Sequence, residues 1–154
     1  MKDRIHVVVV LVAFSTLLTG CLSSLPISQE TEETAGGFTL ASEVLGQVEL
    51  KPSSCSAGDR QQFLGADFES ASSGLTVRLV VDPLGDAAVR VFSRAAPFDR
   101  SVVFRRGQCS EFHFSLDSTG WRINDVDDYR VTLQLDCTLL GESIRGNVTA
   151  PHCH

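Results

Sequence analysis

The chain has 154 residues, a formal net charge of −6 and five cysteines. This length suits a single domain. The acidic balance argues against a nucleic-acid partner and against electrostatic docking on anionic lipid. No motif for a bound cofactor is visible in the sequence.

The first 20 residues have the pattern of an export signal. A short charged segment precedes the apolar run 7–18. That run is shorter than the roughly 20 residues that span a bilayer. It ends in Leu18-Thr19-Gly20-Cys21, which resembles the lipobox of bacterial lipoprotein precursors. The alternatives are an uncleaved membrane helix over residues 5–22 or an ordinary secretory signal that is cut elsewhere.

The resemblance implies a lipid anchor at Cys21. Residues 1–20 would be removed, the Cys21 thiol would carry diacylglycerol, and the new N-terminus would carry an N-acyl chain such as palmitate. Several acyl chains together hold a protein stably on a membrane. In this family Asp after the lipidated Cys retains the protein at the inner membrane. Leu22 therefore implies the outer membrane, facing the periplasm or the surface.

Residues 21–37 are predicted to be a lipidated N-terminus followed by a flexible tether. They are polar and acidic and contain no aromatic residue, so they cannot build a core. The chain from Cys21 onward has 11 basic and 18 acidic residues, a formal charge of −7. A lipid is therefore the expected means of holding it on the membrane. Residues 38–154 are predicted to form one domain.

Short apolar and β-branched runs indicate an all-β domain. Residues 75–82 and 87–93 flank Pro83-Leu84-Gly85-Asp86, which predicts a hairpin. Six more strands are predicted, and residues 38–45 could instead form a short helix. About seven or eight half-buried strands predict an antiparallel β-sandwich or a small barrel. The other strand segments are 44–50, 61–69, 101–106, 111–116, 129–137 and 143–149.

The four cysteines after Cys21 predict two disulfides, because an even number in an exported chain is typical of such bridges. Their spacing lacks the clustered pairs of a zinc site. If strands 111–116 and 129–137 pair across a 117–128 loop, Cys109 lies near Cys137. A bulge near Cys109 is then needed, because the two cysteines alternate onto opposite faces. The sequence thus favours Cys109–Cys137 with Cys55–Cys153.

Two segments could hold a metal ion. The segment 124–128 contains Asp125, Asp127 and Asp128, whose oxygens suit Ca²⁺, but it lacks the spacing of an EF-hand loop. His152 and His154 flank Cys153 and could bind zinc or copper. The preferred interpretation is a solvated acidic turn and a disulfide-bonded Cys153, with no functional metal.

No catalytic constellation is visible. No serine lies in a Gly-x-Ser-x-Gly elbow, and His113 alternates out of step with its apolar neighbours. Trp121 is expected to pack over the mouth of the β core rather than to serve as an exposed binding anchor. Residues 123–126, 135–137 and 153–154 resemble only small uncharacterised bacterial lipoproteins, which implies no activity.

The sequence therefore favours a non-catalytic structural or binding module, lipid-anchored in the cell envelope. The expected partner is an envelope protein or a glycan, and no nucleic acid. The alternative is a metal-binding or hydrolytic envelope protein.

Overall fold

A computed structural model describes residues 33–154, so the signal segment and Cys21 lie outside the described residues. The described chain forms ten antiparallel strands in two five-stranded sheets. The first sheet has the order β2-β1-β10-β9-β8. Its strands are β1 (Ala35–Ser42), β2 (Gly46–Leu50), β8 (Cys109–Ile123), β9 (Val126–Leu139) and β10 (Glu142–Cys153).

The second sheet holds the five strands between β2 and β8, in the order β3-β4-β5-β6-β7. Short 3₁₀ helices at Gly58–Gln61 and Arg106–Gln108 connect β3 to β4 and β7 to β8. The strands are β3 (Ser54–Ala57), β4 (Leu64–Ser70), β5 (Leu75–Val81), β6 (Ala87–Ser93) and β7 (Ala96–Arg105).

One apolar core joins the inner faces of the two sheets, which makes the fold a β-sandwich. The alternation in the sequence decides which side chains enter it, because successive residues of a strand point to opposite faces. On β9 the inward series is Val131, Leu133 and Leu135. Phe68 and Phe104 enter from the second sheet and are fully buried. Burial of each such side chain stabilises the fold by about 1.5–3 kcal/mol.

The all-β class and the β5–β6 hairpin are confirmed by this architecture. The strand count is higher than expected, because β1 and β3 are added to those predicted. No helix occupies 38–45: residues up to Ser42 lie in β1, and a turn then leads into β2.

The prediction of a loop over residues 117–128 is also wrong, because β8 and β9 both extend into this segment. Ile123 pairs with Val126 across a two-residue turn. Asn124 and Asp125 occupy that turn with φ values of 52° and 65°. Two successive turn residues with positive φ match the twist of the paired strands in a hairpin, and Asn and Asp adopt this conformation more readily than most residues.

The first strand begins at Ala35, within the segment expected to be a tether. Gly36 and Gly37 belong to β1, where a Cβ on either would collide with a backbone carbonyl oxygen of a neighbouring segment, at Asn147 and Leu50 respectively. The glycine pair therefore permits close approach of three backbones rather than flexibility.

The two disulfides are Cys109–Cys137 and Cys55–Cys153, the two pairs that the sequence favoured. Cys109 and Cys137 lie opposite each other on β8 and β9, and the register shifts between Cys109 and Glu111. This bulge at Ser110 brings Cys109 onto the face of Cys137, as the parity argument required. The bond from Cys55 on β3 to Cys153 on β10 joins the two sheets.

Candidate functional site

Three segments meet at one end of the first sheet. The start of β1 pairs with the middle of β10, where Ala35 lies opposite Thr149. The end of β10 in turn reaches the beginning of β9, where Cys153 lies opposite Tyr129. The turn of the β8–β9 hairpin therefore lies at the same end of the sheet as the point where the chain enters β1.

A bulge in β8 shapes this end of the hairpin. Ser118 pairs with Tyr129 and Arg122 pairs with Asp127, so three residues of β8 lie opposite the single residue Asp128. Gly120, at the centre of the bulge, has φ 79°. A glycine adopts this backbone conformation without the steric cost that a Cβ would add. The bulge carries Thr119 toward Asp128 and turns Trp121 outward.

Asp128 is a buried carboxylate, with a side chain that is 1% exposed. The hydroxyl of Thr119 donates to its Oδ2 over 2.7 Å, and Nδ1 of His152 lies 2.8 Å from the same oxygen. Nδ1 of His154 lies 3.5 Å from Oδ1, an ion-pair distance too long for a strong hydrogen bond. Within the described chain Oδ1 accepts no hydrogen bond, although it is buried.

The surroundings of Asp128 lower its pKa from the ordinary value of 3.8. Burial is the largest influence and alone would raise the pKa, because it disfavours the charged form. Hydrogen bonds from His152 and Thr119, together with the electrostatic attraction of His152, outweigh burial. The carboxylate is therefore ionised at neutral pH and acts as a fixed negative charge behind the two imidazoles.

A groove of about 500 Å³ lies beside this cluster. His152 of β10 and His154, which follows that strand, form one wall, and residues 52–55 form the opposite wall. Glu33 and Thr34, just before β1, complete the lining. The Cys55–Cys153 disulfide ties the two walls together across the sheets. The groove thus has a covalently fixed frame and two imidazoles on its surface.

Trp121 does not pack over the core, contrary to the sequence-based expectation. Its side chain is 71% exposed on the β8–β9 hairpin, and Ile123 nearby is partly exposed. The bulge explains the error, because alternation along β8 is interrupted at Thr119–Trp121. An exposed Trp presents a large apolar surface with one hydrogen-bond donor, a combination that is enriched in binding surfaces.

The structure divides the metal candidates of the sequence into two groups. Asp128, His152 and His154 come together as described. Asp125 and Asp127 lie toward the hairpin turn, where Asp127 forms an ion pair of 2.9 Å with Arg122. Across residues 33–154 no three His, Cys, Asp or Glu side chains are arranged to hold a metal ion jointly.

The sequence alone did not indicate Thr119 as a residue of this cluster. Its only signal was the neighbouring Gly120, which was interpreted as part of a loop. His113 is exposed on β8, away from the end of the sheet that holds Asp128.

No protein-family model, curated protein or solved structure matches this chain. The part of the chain from Glu33 onward contains no helix long and apolar enough to cross a membrane.

Proposed function

We propose that this protein is a lipid-anchored, non-catalytic binding module of the cell envelope. Its lipid attachment would be at Cys21, and its partner surface would be the exposed tip of the β8–β9 hairpin, residues 120–125. The proposal of the anchor is supported by Leu18-Thr19-Gly20-Cys21 and the short apolar run before it. The proposal of the binding surface is supported by Trp121.

The observation that carries the binding role is the position of Trp121. A buried carboxylate network holds the bulge that turns this side chain into solvent, since Thr119 bonds to Asp128 two residues before it. Because the backbone at Trp121 is already fixed by this bond, little conformational entropy is lost when the side chain contacts a partner. An exposed Trp held in this way suits an anchor residue in a complex.

The topology also supports a partner near the membrane. Thirteen residues, 22–34, separate Cys21 from β1. A flexible chain of this length has a root-mean-square reach of about 20 Å. Because β1 begins at the end of the sheet that carries the hairpin turn, a short tether would keep Trp121 within reach of envelope components close to the membrane. The expected partner is an envelope protein or glycan, and the outer membrane is the favoured location.

Membrane fractionation of a Cys21→Ala variant tests the anchor. We expect the variant to be released into the soluble fraction or to accumulate as an uncleaved precursor, while Ser23→Ala fractionates with membranes like the unaltered protein. Normal maturation and full membrane retention of Cys21→Ala would rule out lipidation at this residue.

Site-specific photo-crosslinking in intact cells tests the binding surface separately. A photoreactive residue replaces Trp121 in one variant and Leu140 in the other. Leu140 is a matched control, because it is 93% exposed and lies in the turn at the opposite end of the same sheet. We expect a discrete adduct from position 121 alone. Equal adducts, or none at either position, would contradict the proposal.

A further inference from the structure

His152 and His154 present two imidazoles on the same side of the chain. His152 lies in β10 and His154 directly follows the last residue of that strand, Cys153. Both histidines are exposed and Cys153 between them is buried, so the two rings lie on the same face of the chain. Their side chains are 54% and 42% exposed, and both line the groove next to the Cys55–Cys153 disulfide. The disulfide at Cys153, between them, fixes the backbone that carries both rings.

Asp128 contacts both rings through the same ring atom. Nδ1 of His152 lies 2.8 Å from one carboxylate oxygen, and Nδ1 of His154 lies 3.5 Å from the other. A carboxylate next to Nδ1 favours the tautomer with the proton on Nδ1. The lone pair is then on Nε2, the atom not occupied by Asp128. A carboxylate behind the ring is the arrangement that orients and polarises histidines that ligate metals.

We propose that Nε2 of His152 and Nε2 of His154 bind one divalent transition-metal cation, Zn²⁺ or Cu²⁺, in this groove. Asp128 is a positioning residue that holds both rings and is not itself a ligand. Water completes the coordination.

The buried oxygen of Asp128 distinguishes this site from two histidines that merely lie on a surface. Oδ1 is buried and accepts no hydrogen bond within the described residues, an arrangement that costs free energy unless a positive charge compensates it. A cation bound at Nε2 polarises each ring and makes its Nδ1–H more positive, which strengthens the attraction between both rings and the carboxylate. Imidazole nitrogen prefers Zn²⁺ and Cu²⁺ to Ca²⁺, which requires oxygen ligands.

Equilibrium dialysis against ZnCl₂ and, separately, CuCl₂ tests the site, with bound metal measured by mass spectrometry. The full chain is used, and every variant carries Cys21→Ala so that no thiol at that position binds metal. We expect one metal ion per chain. His152→Ala and His154→Ala are expected to weaken binding at least about tenfold, because even partners behind a ligand contribute about 10- to 100-fold. His6→Ala and His113→Ala, which replace the other two histidines of the chain, should leave binding unchanged.

Two results would overturn the site: no saturable binding by the parent chain, or equal binding by the double variant His152→Ala/His154→Ala. Both histidines are solvent-exposed, so the folded state should survive their replacement. Strand content by circular dichroism verifies this.

Asp128→Asn tests the positioning role. We expect a 10- to 100-fold loss of affinity. We also expect altered nitrogen hyperfine coupling in the Cu²⁺ paramagnetic resonance spectrum, a signal that reports ligand orientation rather than overall stability. A folded Asp128→Asn variant with unchanged affinity and an unchanged spectrum would show that Asp128 does not position the rings.

Discussion

Nδ1 of His152 lies 2.8 Å from Oδ2 of Asp128, which joins the end of β10 to the projecting part of the β8–β9 hairpin. His152 lies within the register shift of β10 between Ala150 and Cys153, so this side-chain contact occurs where the backbone ladder is interrupted. Thr119 adds a second bond to the same oxygen from the bulge. One buried carboxylate therefore connects the surface of the groove with the hairpin that carries Trp121.

We expect Asp128→Asn to destabilise the metal-free protein at neutral pH but not in strong acid. The pKa of Asp128 is lower in the folded chain than its ordinary value of 3.8, so the stabilisation by its charge is present above about pH 4. It is lost as the pH falls through the folded-state pKa. Urea unfolding in EDTA at a series of pH values from 7 to 2 measures the difference between the two proteins.

The difference in unfolding free energy should shrink below about pH 4, since the protonated carboxyl then resembles the amide in charge. Thr119→Val should show a smaller difference in the same range, because it removes only one of the bonds to the carboxylate. A difference that is constant down to pH 2 would contradict the assignment of this stabilisation to the charge of Asp128.

Gly120→Ala should destabilise the hairpin tip through the backbone alone. A Cβ at Gly120 meets no atom within 4 Å, but the residue has φ 79°. A left-handed conformation costs a residue with a Cβ about 1–2 kcal/mol. Thermal unfolding should show a loss of this size, and protease cleavage near Trp121 should increase.

Gly107→Ala is the matched control for this substitution. The added Cβ also meets no atom within 4 Å there, and φ is not in the positive range. The control should be neutral or slightly stabilising, because Ala restricts the unfolded chain more than Gly does. Equal losses from both substitutions would show that the positive φ of Gly120 is not the cause.

The core of this fold follows from local alternation, which is why it could be predicted. Val131, Leu133 and Leu135 are buried at every second position of β9, and the turn at 83–86 separates two β-branched runs that pair as expected. In such segments the side-chain pattern and the backbone structure depend on the same period of two. No distant information is needed to assign them.

The site could not be predicted in this way because its parts are distant in the sequence and its backbone breaks the alternation. Asp128 and His152 are 24 residues apart, and only the register of β9 against β10 brings them together. The bulge at Thr119–Trp121 turns Trp121 away from the face that simple alternation predicts. The polar residues of segment 117–128 resemble a loop, although both strands continue through it. Gly36 and Gly37 suggested a flexible tether because close backbone approach and flexibility both favour glycine.

Asp67→Asn should be among the more destabilising polar substitutions in the second sheet. Asp67 is buried and accepts two hydrogen bonds of 2.7 Å from Arg78, whose side chain is 22% exposed. Removing one partner of a buried pair costs about 3–5 kcal/mol, and the partial exposure of Arg78 places this change at the lower end or below. Urea unfolding measures the loss.

Glu69→Gln provides the comparison, because Glu69 pairs with Arg94 at the same 2.7 Å but both side chains are much more exposed. Exposed pairs contribute about 0–1 kcal/mol, so this substitution should cost little. If the two variants lose equal stability, burial does not determine the contribution of these ion pairs.

The two disulfides should differ in their contribution to stability. The bond Cys55–Cys153 closes a loop with a sequence separation of 98 residues, and Cys109–Cys137 closes one of 28. Restricting the unfolded chain predicts about 4.7 kcal/mol for the first and about 3.6 kcal/mol for the second. The double variant Cys55→Ala/Cys153→Ala should therefore unfold at lower urea concentration than Cys109→Ala/Cys137→Ala, each in a Cys21→Ala background that prevents thiol exchange.

The first pair also frames the groove, so its loss should have a second, local effect. Hydrogen exchange of the backbone amides near His152 should accelerate in Cys55→Ala/Cys153→Ala more than the change in global stability explains, because the wall of residues 52–55 is no longer bonded to β10. In Cys109→Ala/Cys137→Ala the amides near His152 should change only with global stability. Equal acceleration at His152 in both variants would show that the inter-sheet bond does not hold the groove.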